Sequence, residues 1–329
     1  MTTSFSTDPQ VADLQRRLAS DDPGVRRVAV LEFADLEDEE LVPQLTELLR
    51  RDPDATLRAE AARVLAGWND DEVVDALADA LVDEPAVREA AAQSLTELKD
   101  PQAGERLLPH ALHHDPFVCA SALRGLKELR VPGAAQPATQ ALQHADATVR
   151  REAVSVLGWL KHAASLPLLA RVAADDTDPE VRRVATGALG LAAPQDAQAV
   201  LPALCAALRD TAWAVREEAA TTLGKLRPEG DTAGAALREA MADDYWQVRL
   251  RAARSLGRLR DVAALPVLTE ALVHPAGNLR KESAIALGEI GDPAAAAALA
   301  VAQADPDPEV RKAVRLALQR LGAPAGVDR

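Results

Sequence analysis

One short segment returns ten times along this chain. It has the form Val-Arg-x-x-Ala-x-x-x-Leu-Gly-x-Leu and starts at Val25, Leu57, Val87, Val118, Val149, Val181, Val215, Val248, Leu279 and Val310, at intervals of 30 to 34 residues. The second position is Arg in nine copies and Cys119 in the other. A period of that length holds two helices and two short turns. Such a pair is too small to bury an apolar face alone, so the copies must gain stability by lying against one another.

Counting from the first residue of each copy, offsets 0, 4, 8 and 11 are mostly Val, Ala and Leu, as in Val149, Ala153, Leu157 and Leu160. That spacing is one apolar face of a helix, here called helix B. Asp-Pro pairs stand just upstream, at Asp22-Pro23, Asp115-Pro116, Asp178-Pro179 and Asp307-Pro308. Asp caps free N–H groups of a first turn and Pro at the first helical position sacrifices no hydrogen bond, so each pair predicts a helix start. A second amphipathic stretch, helix A, precedes it, as in 41–51, 164–174 and 263–273. Pro43, Pro167, Pro202 and Pro266 should bend or restart these A helices. Glycines at offset 9 (Gly158, Gly190, Gly224, Gly257 and Gly288) predict close helix approach. The Arg at offset 1, at the edge of the apolar face, is expected to reach a capping Asp or a carbonyl of an adjacent repeat, making a structural ladder.

Composition fits a thin stack. Four Trp, one Tyr and three Phe in 329 residues leave little to fill a thick globular core, whereas layers of two helices need only Ala, Val and Leu. The net charge of −14 argues against nonspecific binding to nucleic acid or an anionic membrane. Cys119 and Cys205 stand far apart, which is no disulfide framework and fits a reducing cytosol. Residues Met1 to Asp8 lack a basic and then apolar leader pattern, and no apolar run approaches the roughly 20 residues of a membrane span. A cytoplasmic protein is expected.

The Asp-Pro-x-Val-Arg, Ala, Leu-Gly-x-Leu pattern resembles the short bacterial HEAT-like repeat, the type named after phycobilisome bilin lyases. The resemblance covers about Asp8 to Leu321. It implies an all-α fold, a single curved right-handed α-α superhelix of about ten two-helix repeats over 8–322, with disordered ends at 1–7 and 323–329. It says less of function, because such repeats serve scaffolds, bilin lyases and a metal-dependent hydroxylase alike. The hydroxylase branch holds two irons with His-Glu pairs at the start of helix B. Here the comparable positions read Arg151-Glu152 and Arg216-Glu217-Glu218, so that activity does not carry over. Glycosylase relatives need a cationic groove, a poor match to an acidic chain.

Other chemistry is sparse. His110, His113 and His114 with Cys119 are the densest group of metal-ligating residue types. On a helix His110 would share a face with the other two, yet a solvated helix end is the expected outcome. No phosphate loop, nucleophile elbow or zinc-spaced cysteine set occurs, and no catalytic residue, cofactor or metal is expected.

Offsets 2, 6 and 10 of helix B point away from its apolar face, and the resemblance implies that B helices line a concave surface. In the last four repeats these positions carry Glu217, Thr221, Lys225; Leu250, Arg254, Arg258; Lys281, Ile285, Glu289; and Lys312, Leu316, Arg320. Six are basic and two acidic, so an acidic segment of a partner protein is expected to bind there, with Arg254 and Arg258 central. Trp159, at offset 10, should face the same trough, and Trp68, at offset 11, the core. Trp213 and Tyr245-Trp246 replace Pro before helix B. They should lie close on one rim, either filling gaps left by longer turns, the favoured reading, or adding hot-spot contacts. The expected function is a non-catalytic scaffold or adaptor acting in complex assembly or maturation. The alternative is a lyase or chaperone-like factor for a bilin or other cofactor.

Overall fold

Helical spacing of the apolar residues, unbroken by any alternating run, leaves helices as the way to bury them. The computed structural model describes residues 8–36, 38–161 and 163–322. The ends expected to be disordered, 1–7 and 323–329, lie outside the described residues. Those described form 20 α-helices, joined by turns that include short 3-10 segments. Even-numbered helices are the B helices and odd-numbered ones the A helices. The chain falls into two compact units, one ending at Leu160 and one beginning at Lys161.

The first unit holds α1 (Pro9–Leu18), α2 (Pro23–Leu36), α3 (Val42–Arg51), α4 (Ala55–Val64), α5 (Asp71–Asp79), α6 (Pro85–Leu95), α7 (Pro101–Glu105), α8 (Pro116–Leu129), α9 (Ala135–Ala141) and α10 (Ala147–Leu160). The second holds α11 (Leu166–Asp175), α12 (Pro179–Leu189), α13 (Ala197–Ala207), α14 (Trp213–Leu226), α15 (Thr232–Ala240), α16 (Trp246–Leu259), α17 (Leu265–Ala271), α18 (Gly277–Ile290), α19 (Ala296–Ala302) and α20 (Pro308–Arg320). Within each unit successive B helices pack side by side, and each A helix packs on its own B helix.

The local signals act as their chemistry requires. Asp115, Asp178 and Asp307 accept hydrogen bonds from backbone N–H groups of the first turns of α8, α12 and α20, and Asp22 accepts one from Gly24 at 2.7 Å. Pro43, Pro167 and Pro266 stand at the starts of α3, α11 and α17, each just after a 3-10 turn, so the chain restarts there. Pro202 instead sits inside α13.

Glycine at offset 9 meets a small residue at offset 7 of the next B helix. A Cβ on Gly224 would stand 2.9 Å from Ser255 Cα, and one on Gly257 or Gly288 would stand 2.8 Å from Ala286 Cα or Ala317 Cα. Where offset 7 is Ser, its hydroxyl donates to a carbonyl of the preceding B helix, Ser94 to Ala62 at 2.8 Å and Ser255 to Ala220 at 2.6 Å. The buried arc of helix B therefore takes in offsets 5, 7 and 9 beside 0, 4 and 8, as in Ala253, Ser255 and Gly257 of α16. Offset 11 is mostly half-buried. Trp68 is accordingly only half-buried, its ring 6.2 Å from that of Phe33. Val25, expected in the core, is exposed together with Val28, because no described repeat stands before α2 to cover them.

The arginine ladder forms, but its acids stand before the capping positions, as Asp52 and Asp305 do two residues ahead of the N-caps Asp54 and Asp307. Its carbonyls belong to the arginine's own turn and not to an adjacent repeat. Arg26 bonds Asp52 through Nε and Nη2 at 2.7 and 2.9 Å, Arg58 bonds Asp83, Arg182 bonds Asp210, Arg216 bonds Asp243 and Arg280 bonds Asp305. A remaining N–H of Arg26, Arg58, Arg182, Arg216 and Arg280 donates to carbonyls of the turn before its own helix. Each acid stands four or five residues before the next B-helix repeat. All but Asp83 also accept from the backbone N–H two residues on, as Asp210 does from Ala212 at 2.8 Å. His113, His144 and His274 take this same position. Each accepts through Nδ1 from the N–H two residues on, at 3.0 to 3.1 Å. A histidine holds the turn but offers no carboxylate to the arginine behind it. Arg88 accordingly stacks on Phe117, 3.8 Å from the ring centre. Arg249 donates to the carbonyl of Asp243 in its own turn. The one copy without arginine, at Cys119, is the one whose partner position is His144.

Candidate partner-binding surface

The outward residues of α14, α16, α18 and α20 form a continuous row in the second unit, but their charges are not all open to a ligand. Arg254 bonds both carboxylate oxygens of Glu282 in the next repeat, at 2.8 and 2.7 Å. Glu282 is buried, so this pair belongs to the stack. Lys281 reaches Glu309 at 3.4 Å, and Glu217 accepts from Arg251 at 2.9 Å. The expected central role of Arg254 therefore yields to a structural one. Sequence reading missed its partner because Glu282 lies at offset 3 of the following helix, on the wall between two repeats.

Lys225, Arg258, Lys312 and Arg320 are exposed and make no ion pair among the described residues. Between them Leu250 and Ile285 are half-buried, and Leu316 is 51 % exposed. The end of this row opens into a cleft of about 420 Å3 lined by Arg227, Gly257, Arg258, Arg260, Gly288, Glu289 and Arg320. Arg227 and Arg260 lie at offset 12, one residue past the helices, where a helical wheel does not reach. The readable signal was a basic residue following the repeat.

Within the second unit the exposed aromatic residues sit at the other end of these helices. Trp213 and Tyr245 stack with ring centres 5.6 Å apart and planes 12° from parallel, at the N-terminal ends of α14 and α16. They and Trp246 are each more than a third exposed, so they line a rim and do not fill gaps. The 14-residue helices separate this rim from the arginine cleft by about 20 Å. Trp159 lies in the first unit, 44 % exposed, with the Arg130 guanidinium 5.1 Å from its ring centre.

The histidine group does not assemble. His110 belongs to a 3-10 turn that ends at Leu112, and His113 is extended, so the three share no helical face. His113 uses Nδ1 for the turn, and its ring lies 4.3 Å from that of His114, tilted by 32°. Among the described residues no group of three potential ligands is placed to hold a metal ion. Glu152 accepts from Arg124, and Glu218 pairs with Arg183, so both carboxylates serve contacts between repeats. Both cysteines are free thiols. Cys119 is buried, donates to the Ala111 carbonyl, and has its pKa pushed up to about 11 by that burial.

Family comparison agrees with this geometry. The model for HEAT repeats matches residues 42–122, 107–190, 174–249 and 234–319. The chain belongs to the HEAT-repeat family. Among solved structures, this HEAT-repeat protein is similar to an engineered protein at 20 % identity and TM-score 0.53, over 95 % of this chain and 99 % of that one. It is also similar to YibA of E. coli at 18 % identity and TM-score 0.54, over 97 % and 99 %. A third likeness is to a structure of Kap95p with RanGDP, at 15 % identity and TM-score 0.58, covering 94 % of this chain and 49 % of that one. These likenesses show the fold. No curated protein matches the sequence. Among the described residues no helix is long and apolar enough to cross a membrane.

Proposed function

We propose that this HEAT-repeat protein is a non-catalytic scaffold that docks an acidic segment of a partner protein on the outward face of α14, α16, α18 and α20, in the assembly or maturation of a larger complex. One observation carries the reading. In a chain of net charge −14, Lys225, Arg258, Lys312 and Arg320 stand exposed on one face without ion-pair partners among the described residues. Leu250, Ile285 and Leu316 offer apolar contact between them. Such a surface steers and orients an anionic chain, and the Trp213–Tyr245–Trp246 rim supplies rigid contact area of the kind found at hot spots.

Affinity capture tests it. Immobilised wild-type protein retains a polypeptide that the Arg258→Glu/Lys312→Glu variant loses, while the far-UV circular dichroism of the two is the same. Equal capture by both would remove the reading. Arg254 is left intact, since reversing it would strand the buried Glu282 and unfold the stack. The same eluate tests the bilin lyase-type reading of the repeat, which requires a visible absorbance band from a retained chromophore.

A further inference from the structure

The B helices of six repeats end in a left-handed residue at offset 12. Four of these are basic, Arg130, Lys161, Arg227 and Arg260, with φ between 47° and 53°; the other two are Gly291 and Gly322. A left-handed conformation costs an L-residue about 1–2 kcal/mol. A cation at a helix C-terminus recovers only about 0.3–1 kcal/mol. Glycine ends α18 and α20 at the same position without that strain, so capping alone does not call for arginine. Arg130 has a second role, against the ring of Trp159. Arg227 and Arg260 have neither an aromatic ring nor an ion pair among the described residues. What they share is the cleft, where they face Arg258 and Arg320.

Gly257 and Gly288 contribute bare backbone to the cleft lining. A Cβ on Gly257 would come within 2.8 Å of Glu289 Oε2, so that carboxylate lies against the bare backbone of α16 in the cleft lining. Four positive groups and one negative give the lining a formal charge of +3. A single carboxylate leaves most of that charge unanswered. A phosphate monoester carries about −1.5 to −2 charges and three strong acceptor oxygens, and the planar guanidinium fork matches those oxygens in pairs.

We propose that this cleft binds the phosphate group of a phosphorylated serine or threonine side chain on the docked partner, held by Arg227, Arg258, Arg260 and Arg320. The proposal rests on the scaffold reading above and specifies the modification that the docking surface selects.

Fluorescence anisotropy with the full-length protein and three labelled peptide pools tests it. The pools share one degenerate frame and differ at the central residue, which is phosphoserine, serine or glutamate. The phosphoserine pool should bind at least tenfold tighter than the other two, and inorganic phosphate should compete. The Arg227→Gly/Arg260→Gly variant should weaken phosphoserine binding at least tenfold. Its thermal midpoint should hold or rise, since glycine fits both left-handed positions, which separates lost contacts from lost folding. Equal binding of the glutamate and phosphoserine pools would overturn the phosphate assignment while leaving acidic docking in place. Phosphoserine binding that survives the double variant, or no binding by any pool, would overturn it too; the capture experiment decides the scaffold reading independently.

Discussion

Arg280 holds Asp305 by two parallel bonds, Nε to Oδ2 at 2.7 Å and Nη2 to Oδ1 at 2.9 Å, and so ties the ninth repeat to the tenth. The pair is nearly buried, and Asp305 also accepts from the N–H of Asp307 at 2.8 Å. Removing one partner leaves a buried charge and an open turn. Asp305→Ala should lower unfolding free energy by about 3 kcal/mol, read from urea denaturation. The Arg280→Ala/Asp305→Ala double variant should lose less than the sum of the single losses, because the two residues act as one unit. Additive losses would mean that the pair does not couple the repeats.

The ladder also sets the response to acid. The bond from Arg280 holds the Asp305 carboxyl below the usual range, and that from Arg58 does the same for Asp83. At Asp210 and Asp243 burial pushes the carboxyl up, and the bonds from Arg182 and Arg216 with a backbone N–H outweigh it. A carboxyl with a lowered folded pKa gives stability that is present above its unfolded value, about 3.9, and is lost as pH falls through the folded one. The urea midpoint should therefore drop steeply below about pH 4.

His274 should add a second, milder loss. Burial, then Arg249 and Arg280, press its pKa below the usual histidine value. Its Nδ1 must stay unprotonated to accept from Ala276. The unfolded chain thus takes up the proton first, and stability present above about pH 6.5 falls as pH drops from there to the folded pKa. His274→Asp restores the acid found at this position in other repeats and gives Arg249 a partner. The variant should melt higher than wild type at pH 7 and lose the dependence between pH 5 and 7. A midpoint that still falls over that range would place the titrating group elsewhere.

The regularity that made the fold legible also limited the reading of the surface. A constant period of small apolar residues, glycine and arginine fixes which helix faces must meet, so the B-helix stack and the role of the offset-1 arginines could be read directly. The acids that answer those arginines lie about 25 to 28 residues later, and a single helical wheel does not contain them. For the same reason Arg254 read as a free cation when Glu282 neutralises it, and the helix-end arginines Arg227 and Arg260 fell outside the count. Trp213 and Tyr245 were legible as neighbours because Trp213 opens α14 and Tyr245 caps α16, at the same end of successive B helices.

Thiol reactivity should separate the two cysteines. Cys119 is buried in α8, with a pKa near 11, so at pH 8 almost no thiolate is present and no path leads to it. Cys205 is half-buried, and burial and Glu239 raise its pKa against the opposing effect of Arg209. Native protein should titrate at most one thiol per chain with an aromatic disulfide reagent, slowly and at Cys205, and both should titrate in urea. Modification of Cys119 ahead of unfolding, detected by peptide mapping, would contradict its burial.

Gly257 and Gly291 make a paired test of why the glycines are there. Gly257 lies where α16 meets α18, and a Cβ would press on the Ala286 backbone at 2.8 Å, which cannot rotate aside. Gly257→Ala should therefore force the helices apart and destabilise by about 1–3 kcal/mol. Gly291 has nothing within 4 Å of such a Cβ, but its φ is +77°. Gly291→Ala should cost about 1 kcal/mol from backbone strain alone. Because Arg260 already occupies the equivalent site after α16, Gly291→Arg should cost no more than Gly291→Ala. Urea midpoints of the three variants in one background decide the matter. A Gly257→Ala loss no larger than that of Gly291→Ala would mean that close helix approach is not what holds these repeats together.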